Sequence, residues 1–269
     1  WGGGSRPEPK TLADKWILHR LSQVTTSVTN KIEKYELSSA GEELREFTWS
    51  DLADWYLEIA KIEKGKEAML SYILHTLLKL WHPYMPFVTE HIWQTAGFEG
   101  QLIVADWPEL GASVNDVTAF EDLRRLITDF RRLRADNGIE AAKMVEFAVS
   151  GPTDVKALIE DHLEVISTLT RAEAIRQVDA IDDAWSAIPS GAATIGLNLA
   201  GAINIGKERE KVQKELRDTE TYVANLELKL TNTEFTSKAP EHVVVSMKEK
   251  FAEGKIKLQN LRERIQKLG

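Results

Sequence analysis

The sequence predicts a mainly α-helical protein in three parts: a helix bundle over residues 11–138, a small α/β unit over 139–206 and an antiparallel coiled-coil hairpin over 207–269. Three observations predict it. Apolar residues recur every three or four positions in five successive segments of the first part, the spacing of a buried helix face. Alternation with period two appears around 145–205, as strands require. The last part carries two long stripes at alternating steps of three and four, separated by a polar break ending at Pro240.

Residues 1–10 open Trp1-Gly2-Gly3-Gly4-Ser5-Arg6-Pro7, which reads as an expression scar or flexible lead-in and suggests a piece of a longer protein. Thr11 with Asp14 resembles a capping box, and Ile17, Leu21, Val24, Val28, Ile32 and Tyr35 then form one stripe. Ser39 with Glu42 repeats the signature before a second helix that turns Leu44, Phe47, Leu52, Trp55, Ile59 and Ile62 inward. A third helix runs from about Lys66 to His82 and stops at Pro83; Pro86 suits the first turn of a fourth, carrying Phe87, Ile92 and Trp93. An irregular connector, 97–115, precedes a fifth helix over about 117–136, with Phe120, Leu123, Ile127, Phe130 and Leu133 on one side.

Beyond Asn137-Gly138, Val145, Phe147 and Val149 alternate as a strand, 154–169 reads as a helix, and 174–178 as a second strand. Ile195, Leu197, Leu199, Ile203 and Ile205 predict a hairpin around Gly201 whose second strand feeds into the arm. Gly191, Gly196, Gly201 and Gly206 fall at equal steps but lack the strand–loop–helix context of a phosphate cradle, and read as turn and strand-end residues. In the arm, opposed positions add to 473 or 474: Leu230 with Val244, Val223 with Phe251, Leu216 with Leu258, Val212 with Leu261. Thr219 then faces Gly254 in a thin layer where the arm is expected to bend.

The chain has 269 residues, 43% of them apolar, and a net charge of −8. No apolar run is long enough to span a membrane, and without cysteine there is neither a disulfide nor a thiolate metal site, which fits a cytoplasmic protein. Charge is unevenly placed. Residues 1–206 hold 20 Lys and Arg against 31 Asp and Glu, while 207–269 hold 14 against 11, so the arm is the basic end of an acidic protein. That is the footprint of a polyanion-binding element, or of a hairpin laced with ion pairs.

No Ser/His/Asp set, GxxxxGK loop or GxGxxG element is present, and the spacing of His75, His82 and His91 is not that of metal ligands; catalytic residues and metal sites are both expected to be absent. Asp51, Asp54 and Glu58 share a helix face, which suits solvent or basic partners better than acid–base work. Binding has more support. Arg124, Arg125, Arg131, Arg132 and Arg134 crowd the fifth helix, a guanidinium patch suited to phosphates or bases, or to ion pairs with neighbouring acidic helices. Phe47 and Trp49 are the candidate stacking residues; Trp49 falls off its helix's apolar stripe and is expected to be exposed. On the arm, the candidate contacts are Lys207, Lys211, Lys214, Arg217, Lys229, Lys238, Lys248, Lys255, Lys257 and Arg262.

Phe47-Thr48-Trp49-Ser50-Asp51-Leu52-Ala53-Asp54-Trp55-Tyr56-Leu57-Glu58, then His82-Pro83-Tyr84-Met85-Pro86-Phe87-Val88-Thr89-Glu90 and Trp93, resembles the anticodon-binding helical domain of class I aminoacyl-tRNA synthetases for branched aliphatic amino acids. Leu228-Lys229-Leu230-Thr231-Asn232, Phe235, Lys238-Ala239-Pro240-Glu241 and Val243-Val244 look like the turn of the C-terminal coiled coil of the valyl-tRNA synthetases. The resemblance implies a monomeric C-terminal piece that lacks the catalytic and editing domains, binds the anticodon stem-loop of tRNA(Val) and clamps the tRNA body. It implies no cofactor here, ATP and Mg²⁺ belonging to the catalytic domain. The equivalent part of an isoleucyl or leucyl enzyme, and a coiled-coil protein-interaction module, remain as alternatives.

Overall fold

The computed structural model describes residues 6–110, 117–199, 205–231 and 241–267. They fall into two compact units, 1–198 and 199–269.

The first helix, α1 (Leu12–Glu33), opens on the expected capping box: the Thr11 hydroxyl accepts from the Asp14 N–H and the Asp14 carboxylate accepts from the Thr11 N–H. Ile17, Leu21, Val24 and Val28 are buried as their spacing requires, Ile32 is half-buried, and Tyr35, expected on the same stripe, is 88% exposed because the helix has ended before it. It ends with Tyr35 at φ 61°, the Glu36 N–H reaching back to the Lys31 carbonyl and the Tyr35 N–H to Ile32, which satisfies two terminal carbonyls. This reversal corrects the second capping box. Helix α2 (Leu37–Glu46) already begins behind Glu36, so Ser39 lies within its first turn and caps nothing.

Helix α2 continues into a π-helical stretch, Phe47–Leu57, and then α3 (Glu58–Ile62). In a π-helix each N–H reaches the carbonyl five residues back, so the buried face advances by four or five positions. Phe47, Asp51, Trp55 and Tyr56 are therefore buried, while Leu52, inward on an ideal helix, is half-buried. Helices α4 (Glu67–Trp81) and α5 (Pro86–Thr95, with Pro86 in its first turn) follow, then a 3₁₀ turn (Leu102–Val104) and α6 (Thr118–Asp136). Phe87 is 90% exposed and Ile92 is also exposed, so of the three apolar residues expected on α5 only Trp93 enters the core.

The sheet contains β1 (Val145–Ser150), β2 (Ala172–Val178), β3 (Ser186–Ser190) and β4 (Ala193–Leu197) in the order β2-β1-β4-β3, with β1–β2 parallel and the other two pairings antiparallel. The β1–β2 crossover is two short helices, α7 (Thr153–Asp161) and α8 (Leu163–Thr170), not one. Among the described residues the hairpin is β3–β4, turning at Gly191 (φ 59°), in which Ile195 and Leu197 lie on the second strand and not, as expected, on the first. Ile205 and Gly206 belong to a helix; Gly201 and Ile203 lie outside the described residues. The boundary expected near residue 138 is not a gap in packing. Phe120 of α6 stacks on Trp16 at 4.5 Å and Phe130 meets Phe147 of β1 at 4.5 Å, so one helix serves both bundle and sheet.

The second unit pairs α9 (Ile205–Thr231) with α10 (Glu241–Lys267). Thr219, Val223, Leu226, Gly254 and Leu261 are buried along one seam. Its register corrects the spacing argument. A Cβ on Gly254 would lie 2.6 Å from Val223 Cγ2, so Gly254 packs on Val223, a pair sum of 477, and not on Thr219. Glu215–Lys257 (2.8 Å) and Glu220–Arg262 (2.9 Å), with sums 472 and 482, flank that value evenly. Opposed heptads run in opposite directions, so a layer pairs an a residue with a d residue, flanked by g–g and e–e pairs. The sums 473 and 474 would set a on a and d on d. With Val223 filling the space over Gly254, the thin Thr219–Gly254 layer and the bend inferred from it lose their basis.

Candidate nucleic-acid interface

The five arginines of α6 do not form one open patch. Arg124 lies over the Trp16 and Trp55 rings, 5.4 and 5.2 Å from their centroids, and 3.6 Å from the buried Asp51 carboxylate, which also accepts from Arg20 Nε at 2.9 Å. Arg131 also lies over the Trp55 ring, 5.4 Å from its centroid, and donates to the Leu169 carbonyl; part of the residue stays exposed, while the desolvation of the rest lowers its pKa against the pull of Glu58 and Asp54. Arg134 is buried, and its guanidinium donates to the carbonyls of Arg171, Glu140 and Lys143, so it locks the 138–144 loop to the start of β2. These three are committed to the fold by cation–π and carbonyl contacts. Arg125 and Arg132 remain half-exposed, each paired to an aspartate one turn back, Asp122 and Asp129. Arg125 also lies across the β3–β4 turn, where any Cβ on Gly191 would strike its guanidinium.

The two stacking candidates separate cleanly. Trp49 is 60% exposed, whereas Phe47 is 1% exposed and so is withdrawn from any contact with a base. The π-helical stretch produces both outcomes, placing Phe47 with Tyr56 in the core and leaving Trp49 outside. The same stretch buries Asp51 while Asp54 stays exposed, so the expected carboxylate row is not one solvated face. His75 is wedged against Trp93 and Phe98 at 4.6 and 5.1 Å, and His82 Nδ1 is 2.8 Å from the Thr89 hydroxyl. Among the described residues, no group of three or more His, Asp or Glu is placed to hold a metal ion. No described helix is long and apolar enough to cross a membrane.

A buried ionic cluster escaped the sequence reading. Lys66 Nζ lies 2.8 Å from Asp14, 2.6 Å from Glu63 and 2.8 Å from the Thr11 hydroxyl, and the Tyr56 hydroxyl donates to Asp14 at 2.7 Å. Burial raises the Asp14 pKa, but hydrogen bonds from Lys66, Tyr56 and the Lys10 N–H outweigh it and hold the carboxyl below its ordinary range. Burial and the neighbouring carboxylate together push Tyr56 upward. The one sequence signal was Asp14 itself, whose second oxygen is left over once the cap is made.

On the hairpin, Lys214, Arg217, Lys229 and Lys248 are exposed. Lys255 lies over the Phe251 ring at 4.4 Å, and Lys257 and Arg262 form the flanking ion pairs. Lys207 and Lys211 lie on α9 but their side chains, like Lys238 altogether, fall outside the described residues. Beside Gly254 one flank opens into a groove of about 380 Å³ lined by Thr219, Tyr222, Lys250, Lys257 and three carboxylates.

The bundle, with Trp49 exposed, and the two-helix arm, with its exposed Lys and Arg side chains, each offer a surface able to meet a polyanion. Residues 14–149, half of the chain, match the family described as the anticodon-binding domain of tRNA ligase, and the chain belongs to that family. More particularly, residues 204–269 match the valyl tRNA synthetase tRNA binding arm. The valine–tRNA ligase of Bacillus subtilis (strain 168) is 34% identical over 258 residues, 90% of this chain and 29% of that protein. That of Geobacillus stearothermophilus is 36% identical over 252 residues, covering 87% and 28%. That of Mycobacterium leprae (strain TN) is 35% identical over 250 residues, covering 89% and 28%. The chain thus spans roughly three-tenths of the length of the curated relatives it matches.

Proposed function

We propose that this chain is the tRNA-recognising part of a cytoplasmic valine–tRNA ligase, in which the helical unit reads the anticodon stem-loop of tRNA(Val) and the hairpin clamps the tRNA body. The observation that supports it most is that two separate segments, 14–149 and 204–269, match families described by contact with tRNA, and that the second is specific to the valine enzyme. Trp49 is the stacking residue of the first surface, because base–aromatic stacking needs an open ring face. Arg125 and Arg132 supply exchangeable guanidinium groups on α6, since a surface pair of this kind holds its partner by at most about 1 kcal/mol. Lys214, Arg217, Lys229, Lys248 and Lys255, with Lys207, Lys211 and Lys238, supply phosphate contacts on the second. ATP, Mg²⁺ and the joining of valine are assigned to the part of the relatives that lies outside the match; these residues bind tRNA as a monomer and need no cofactor.

Competition between purified tRNA(Val), tRNA(Ile) and tRNA(Leu) for the chain tests this. Preferential displacement by tRNA(Val) is expected, with no valine-dependent pyrophosphate exchange by the chain alone. Equal displacement by all three, or measurable exchange, would contradict it.

A further inference from the structure

The exposed side of α5 carries four large apolar residues beside the polar His91, Gln94 and Thr95. Phe87 is 90% exposed, Val88 54%, Met85 43% and Ile92 37%. Val88 and Ile92 are four residues apart, so their side chains share a stripe. The neighbouring 3₁₀ turn extends the surface: Glu90 accepts from the Leu102 N–H at 3.0 Å, fixing the turn against α5, and leaves Ile103 70% and Val104 76% exposed. The inner side is already satisfied, with Leu78, Trp93, Phe98 and Leu102 packed as a core, so these six are not a displaced interior. Large apolar residues exposed together on a helix and on the turn bonded to it mark a contact.

Charge says what kind. From 83 to 110 the sequence contains no Lys or Arg but four carboxylates, Glu90, Glu99, Asp106 and Glu109. Lys79 lies over the Trp93 ring, beside the segment, where burial lowers its pKa against the pull of Asp106. Nucleic-acid affinity is dominated by neutralised phosphates, so a surface with this balance repels RNA. A protein interface core, by contrast, is depleted in charge and enriched in aromatic residues and Met. The relatives supply a candidate covering, since about seven-tenths of each lies outside the match while α5 lies inside it.

We propose that the face formed by Met85, Phe87, Val88, Ile92, Ile103 and Val104 is the seat on which the remaining, catalytic portion of an intact valine–tRNA ligase docks, so that anticodon-reading and aminoacylating parts are held by a protein contact separate from both tRNA surfaces. This rests on the function proposed above. The seat covers a helix that is anchored inside by Trp93 and Thr89 and whose outer apolar residues are exposed in the first unit, and docking therefore slows opening of α5.

Amide hydrogen exchange tests it. Peptides covering 85–92 and 102–105 are compared in this chain alone, in this chain with saturating tRNA(Val), and in the intact ligase that contains this sequence. Exchange at least about tenfold slower in the intact ligase than in the chain alone, with no change on adding tRNA, is the expected result. The same rate in the intact ligase overturns the proposal, as does protection by tRNA, which would make this an RNA surface. Self-association of the chain abolished by Phe87→Glu would assign the face to a second copy and overturn it too. In the intact ligase, Phe87→Glu with Val88→Glu should raise the rate of proteolytic separation and lower aminoacylation, while the same changes in this chain leave tRNA affinity unchanged. Loss of tRNA binding by the unaltered chain would sink the underlying function, whereas normal binding with an unprotected α5 sinks the docking seat alone.

Discussion

Within residues 6–198, ionised groups sit inside the fold: Lys66 and Asp14 are at 5% and 3% side-chain exposure, and Asp51 at 6%. In the hairpin the ion pairs Glu215–Lys257 and Glu220–Arg262 lie on the flanks, with side chains 42–63% exposed. Interior charges must be paired or the fold loses several kcal/mol, so the first unit is locked into one arrangement around Lys66. Flank charges contribute little each, and the hairpin's register rests instead on how Val223 meets Gly254. The helical unit is thus a preorganised platform and the arm a seam one layer thick.

The largest way to break this comparison is Lys66→Ala. It strands Asp14 and Glu63 without their cation and should cost about 3–5 kcal/mol, read as a lower urea midpoint for the tryptophan signal of the first unit. An arm that loses as much protection as the bundle in that variant would show that the units are not energetically separate. Next is Gly254→Ala. The added methyl meets Val223 Cγ2 at 2.6 Å, an overpacking cost of about 1–3 kcal/mol against roughly 1 kcal/mol of helix propensity gained, so faster exchange across 213–262 is expected. A stabilised hairpin would return Gly254 to a position facing open space.

Acid separates the units further. Burial and Lys79 lower the His75 pKa, so the unfolded chain takes up that proton first and stability of the first unit declines as pH falls through about 6.5. The depressed Asp14 contributes stability that is present above about 3.8 and is lost as pH falls through its lower folded value. A urea series from pH 8 to 3 should show both declines in the bundle signal. A flat profile would remove these two groups from the account. The smallest effect is expected from Glu220→Lys opposite Arg262, about 0.2–1 kcal/mol, restored by adding Arg262→Glu; no restoration would deny the e–e pairing.

Much of this was legible in the sequence because local chemistry decided it. The Thr11–Asp14 box, the Pro86 start and the stripe of α6 need no distant partner, and the structure keeps all three. Ser39 met the same pattern, but the left-handed turn at Tyr35 had already started the helix. The π-helical stretch changes the burial period without changing composition, so Phe47 reads as a stacking residue and Asp51 as a surface acid until the backbone is seen. Edge strand β3 hides behind Pro189, which an edge position tolerates because its missing N–H faces away from the ladder. The arm's stripes fix that two helices pair but allow registers half a heptad apart, and only the rule that a meets d in opposed helices chooses between them. Arginine density on α6 was visible; that Trp16, Trp55 and three loop carbonyls absorb Arg124, Arg131 and Arg134 was not.

The central claim is that the two units meet tRNA by different physics: an exposed ring on a locked platform, and spread charge on a thin arm. Salt dependence of tRNA(Val) binding by the full chain tests it most directly. For Trp49→Ala the account predicts an affinity loss of about 1–3 kcal/mol at every salt concentration with an unchanged log–log slope. For Lys214→Ala, Arg217→Ala, Lys229→Ala and Lys248→Ala combined it predicts a slope flatter by about 0.7–0.9 for each phosphate contact removed. An unchanged slope in the arm variant, or a Trp49 effect that vanishes at high salt, would contradict it.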